Sequence, residues 1–75
     1  MKSENEALAR TICQLRQRLG LSQEGLADRA GIHRTYVSQL ERGIKSPTLA
    51  VLTKIARALD TKLSQLMQAV EDEIG

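Results

Sequence analysis

The chain contains no phenylalanine and no tryptophan, and Tyr36 is its only aromatic residue. Its interior must therefore be assembled from Leu, Ile, Val and Ala. Cys13 is the only cysteine, which excludes an internal disulfide. With no CxxC pair and no Cys/His cluster, no metal site is expected. One thiol among apolar neighbours reads as a small core residue. No apolar run approaches the ~18 residues of a membrane span. The start, MKSENEALAR, lacks the apolar stretch of a secretory signal. The expectation is a cytoplasmic protein without a membrane partner. Catalytic groupings are missing too: His33 has no Cys or Ser placed for activation, the carboxylates are scattered, and there is no glycine-rich phosphate loop. Neither an enzyme nor a cofactor or small-molecule ligand is expected.

What is present is a single-domain length, 75 residues, with an uneven charge. A domain of this size buries only roughly 60% of its unfolded surface, and pairing with a second copy is a common remedy. The net charge is +2, yet from Arg10 to Lys62 ten basic residues face only Glu24, Asp28, Glu41 and Asp60. The other acids, Glu4, Glu6 and Glu71-Asp72-Glu73, lie at the ends. A basic centre with acidic ends suits a polyanionic partner, although charge alone is equally compatible with a solvated surface.

Five short helical segments with tight connections predict an all-α fold. The first covers residues 4–19, with Ser3 and Glu6 as a capping box and Leu8, Ile12, Leu15 and Leu19 as its apolar stripe. Gly20 stops it. Ser22 caps the second, 23–30, whose inner face carries Leu26, Ala27 and Ala30 before Gly31. The third spans 34–42 and ends at Gly43. Ser46 as N-cap and Pro47 at the first helical position open the fourth, with Leu49, Leu52, Ile55, Ala56 and Leu59 expected inside. The fifth, 63–73, carries Leu63, Leu66, Met67, Val70 and Ile74.

Residues 23–42, QEGLADRAGIHRTYVSQLER, carry the functional signal. Two short helices joined by so few residues must cross steeply to share a core. Such a crossing needs a small residue at closest approach, which is Ala27, and a residue tolerant of positive φ at the turn, which is Gly31. It also needs apolar flanks, supplied by Leu26, Ala30, Ile32, Val37 and Leu40. At 100° per residue, Arg34, Thr35, Ser38, Gln39 and Arg42 fall within one arc of about 140°, with Tyr36, Val37, Leu40 and Ile44 opposite. The outer arc is polar, holds two arginines and no acid, and consists of types that hydrogen-bond base edges and phosphates.

The motifs GLSQEGLADRAGI, RTYVSQLERG and SPTLAVLTKIARALD resemble the Xre or phage-repressor (Cro/C1) type of helix-turn-helix regulator over residues 7–66. They are also similar to the small controller proteins of restriction-modification systems. The resemblance implies a lambda-repressor-like five-helix fold, with the third helix in the major groove of double-stranded DNA. It further implies base contacts from Arg34, Thr35, Ser38 and Gln39, and phosphate contacts from Gln23, Arg42 and Lys45. Arg16 is expected to pair with Glu41, which accounts for an acid near a polyanion. RNA polymerase is a further partner open to such a regulator. Gly25 and His33 depart from the pattern: the first replaces a helix former, the second a usual capping residue. Lys62 is likewise a poor cap. Tyr36 points away from the base-reading arc, toward the helix 1 or helix 4 contact; in controller-like relatives a tyrosine here can reach DNA.

The thin core predicts a homodimer. Val51, Leu66, Met67, Val70 and Ile74 are its expected interface, and Val70→Glu is expected to split it and leave a folded monomer. The alternative class is an antitoxin or protein-interaction module. The short stretch after the fifth helix, with no tail to wrap a toxin, weighs against it.

Overall fold

The computed structural model describes residues 3–75. Among them are five helices and no strand: α1 (Glu4–Arg18), α2 (Gln23–Ala30), α3 (Arg34–Glu41), α4 (Leu49–Ala58) and α5 (Leu63–Ile74). The all-α expectation and the helix order hold. The Ser3 hydroxyl accepts from the Glu6 N–H and donates to its carboxylate, and the Ser22 hydroxyl accepts from the Gly25 N–H. Both serines thereby satisfy donors that a helix start leaves without a partner.

The ends of α1 to α4 share one device. After each, a residue in the left-handed region reverses the chain, and its N–H and the next one bond back into the last turn. After α3 these bonds run from Gly43 N to Leu40 O and from Ile44 N to Gln39 O. After α4 the left-handed residue is Asp60, at φ 57°, where a side chain carries a steric cost. Asp60 faces Arg29, whose Nη1 also donates to the Ala58 carbonyl. A cation from α2 thus sits at the negative end of α4.

Ile12, Leu26, Val37, Leu40, Ile55 and Leu66 have no more than 1% of their surface exposed and form the centre. Helix α1 packs on α3 and α5, α2 on α3 and α4, and α4 on α5. With no Phe or Trp to fill space, small residues bring the backbones close, and Ala7, Ala9, Ala27, Ala30, Ala56 and Ala58 are all buried. Cys13 is half-buried, and Thr11, inside, donates to the Ala7 carbonyl.

Several expectations need correction. Leu19 follows the last turn of α1 and is exposed, as are Ile44, beyond the chain reversal at Gly43, and Leu49, in the first turn of α4. Thr48, not Ser46, caps α4: its hydroxyl accepts from Val51 N, while Ser46 Oγ donates to Asn5 Oδ1 on α1. The serine and proline therefore lie in the connection, and the helix starts two residues later. Helix α5 spends more of its apolar face internally than expected. Leu66 is fully buried and Val70 only 8% exposed, because α5 packs on both α1 and α4. Leu66 therefore has no surface left to offer a second copy and Val70 very little, and Val70→Glu would place a charge against the core.

Candidate nucleic-acid interface

The candidate interface is built on the α2–α3 crossing. Ala27 and Ala30 let the helices approach, and Gly31, at φ 68°, turns the chain between them. Val37 and Leu40 anchor α3 in the core and fix its rotation. Its other side then faces outward: Arg34, Thr35 and Arg42 are exposed, and Ser38 and Gln39 are half-buried. Gln23, at the start of α2, lines one surface hollow together with Arg34, Thr35 and Ser38. Residues from two helix N-termini thus meet in a place where backbone N–H groups and positive dipole ends favour an anion.

His33 begins α3. Its Nδ1 accepts from the Thr35 N–H at 3.1 Å, so the imidazole performs the capping that serine or aspartate performs elsewhere. The signal was readable, since a neutral imidazole carries one acceptor nitrogen. Tyr36 is half-buried against the core, and the Lys45 ammonium lies 5.2 Å from its ring centroid. This cation–π contact holds the exposed Lys45 side chain close to α3.

The rotation of α3 is further held by an ion pair. Arg16 on α1 donates from Nε to Glu41 Oε2 at 2.7 Å and from Nη2 to Oε1 at 2.9 Å, while its Nη1 donates to the Leu21 carbonyl. The two side chains are only 13% and 5% exposed. The hydrogen bond to Glu41 holds the guanidinium above its ordinary pKa, against the opposing effect of burial. Gln23 Nε2 also donates to Glu41 Oε1, at 3.1 Å. The family resemblance supplied the Arg16–Glu41 pair but not this contact, which joins separate helices with no local pattern to reveal it. The single acid of α3 is therefore enclosed by donors rather than turned toward the outer face.

Among the described residues no group of His, Cys, Asp and Glu is arranged to hold a metal ion, and no helix is long and apolar enough to cross a membrane.

Comparison with known proteins agrees with this geometry. The helix-turn-helix family model matches residues 14–66. The chain is 39% identical over 72 residues to the control protein C.SmaI of Serratia marcescens, covering 93% of this chain and 86% of that one. The solved restriction-modification controller protein C.AhdI of Aeromonas hydrophila superposes with a TM-score of 0.82 at 35% identity, over 87% of this chain and 98% of that one. The controller protein C.Esp1396I, solved as a tetramer with its natural 35 base-pair operator, superposes with a TM-score of 0.88 at 26% identity, over 99% of this chain and 97% of that one. With this match spanning both the α2–α3 crossing and the core that supports it, the chain belongs to the helix-turn-helix family of transcriptional regulators of the Xre and Cro/C1 type.

Proposed function

We propose that the protein binds a palindromic DNA operator as a homodimer, with α3 of each protomer in a major groove. The observation that carries this reading is the exposed polar face of α3, free of acids and continuous with Gln23. Arg34, Thr35, Ser38 and Gln39 read base edges, and Gln23, Arg42 and Lys45 hold phosphates. Arg34 suits guanine, whose O6 and N7 match two parallel guanidinium donors. The operator complex of C.Esp1396I supports DNA as the partner and assembly as the mode.

The dimer surface falls on residues of α4 and α5 that the protomer leaves partly uncovered: Val51, Met67 and Ile74, with exposed Leu49 also on α4. A protomer measures 31 × 23 × 23 Å. Two touching copies can therefore space their recognition helices on the order of one DNA turn, ~34 Å.

The test is the salt dependence of binding to DNA. Each phosphate contact by a cation adds roughly 0.9 to the slope of log K against log salt. A dimer using Arg42 and Lys45 twice gives a slope of about −4. A slope near zero would remove DNA as the partner.

A further inference from the structure

We propose that Glu41 is a positioning residue for DNA binding: it accepts one N–H of the Gln23 carboxamide and thereby aims the other at a phosphate. This rests on the reading of Gln23 as a phosphate contact. The Glu41 carboxylate has one side on Arg16, through both oxygens, and Oε1 also takes Gln23 Nε2. An ionised carboxylate only accepts. The Gln23 amide must therefore present its NH2 group to Glu41, with one hydrogen engaged and the second left for another acceptor. At only 5% exposure Glu41 cannot swing away, and Arg16 is tied in turn to the Leu21 carbonyl. The rim of the hollow shared with Arg34, Thr35 and Ser38 thus has a donor oriented before DNA arrives. A glutamine free to rotate would lose that rotamer freedom on binding.

The geometry also gives Glu41 a role that its ion pair alone does not. If it only fastened α1 to α3, its replacement would lower stability and leave the Gln23 amide unaffected. The first measurement therefore needs no substitution. In the side-chain amide NMR spectrum of the parent protein, the Gln23 NH2 should be restrained on the nanosecond scale, with one proton shifted downfield by the carboxylate. The exposed Gln14 and Gln17 amides on α1 serve as mobile references. A Gln23 amide as mobile as these would overturn the proposal.

The second measurement is a double-mutant cycle, read by fluorescence anisotropy on a short mixed-sequence DNA duplex well below the melting temperature. Glu41→Gln keeps the volume but leaves one acceptor oxygen, for which Arg16 and Gln23 compete, and adds an NH2 donor that favours the Gln23 oxygen, so the Gln23 carboxamide is no longer held with its NH2 toward position 41. Gln23→Ala and Glu41→Gln should each weaken binding roughly three- to tenfold, and the double variant no further. Losses that multiply would overturn the positioning role and leave Gln23 as a contact. An unchanged affinity in Gln23→Ala would instead remove the phosphate reading itself. Should Glu41→Gln fail to fold, the parent spectrum decides the question.

Discussion

At the scale of single residues, the proposed DNA contacts divide into groups that discriminate and groups that only attract. Arg34 belongs to the first. A bidentate arginine–guanine contact contributes ~1–3 kcal/mol of discrimination. Arg34→Ala should accordingly weaken binding to a selected site far more than binding to random DNA; equal losses in a titration of both would make Arg34 a phosphate contact. Lys45 belongs to the second. Its ammonium rests on the Tyr36 ring, outside the base-reading arc. Lys45→Ala should reduce the salt slope of a dimer by about two, and an unchanged slope would exclude it from the interface. Glu41 differs from both, because its loss would leave Arg16 inside without its carboxylate partner. Glu41→Ala should destabilise the fold by about 3 kcal/mol. For a domain this small that lowers the melting temperature by more than about 10 °C, and calorimetry showing a parent-like transition would contradict the buried pair.

At the scale of elements, most of the architecture was legible because most helix ends carry a local start or stop signal. Ser3, Ser22, Gly20, Gly31 and Gly43 act through bonds to residues within a turn, so their local sequence is sufficient to read them. The misreadings arose where a tertiary contact decided between equivalent local signals. Ser46 and Thr48 are both capable caps, and the bond from Ser46 to Asn5 leaves the cap to Thr48. Leu49 continues the apolar spacing of α4 but lies in its first turn, beyond the reach of the core. The pair Gln23–Glu41 joins two helices and has no sequence periodicity at all. Asp60 shows the opposite case, a residue kept where glycine fits better. Its left-handed backbone costs on the order of 1 kcal/mol, and its exposed ion pair with Arg29, at 3.7 Å, returns little of that. Asp60→Gly should stabilise the protein by about 0.5 kcal/mol or more in denaturant unfolding; a lower midpoint would show that the pair outweighs the strain.

At the scale of the whole molecule, the absence of Phe and Trp and the short length leave a core of aliphatic side chains and alanines, with α5 closing it over α1 and α4. That closure divides the apolar residues of α5 into two sets. Leu66 and Val70 serve the protomer, and Met67 and Ile74, the residues of the proposed dimer surface, remain partly exposed. Val70→Glu should therefore unfold the protein, whereas Met67→Glu should leave a folded protomer and abolish a dimer in sedimentation at micromolar concentration. A dimer that survives Met67→Glu would move the interface elsewhere. In the proposed dimer, two copies of α3 read DNA sequence across a twofold axis. Selection of bound duplexes from a random DNA pool decides whether they do. Repeated selection should enrich one motif made of two inverted half-sites centred about one helical turn apart, each with a guanine whose preference disappears in Arg34→Ala. A pool that remains random after repeated selection would contradict it.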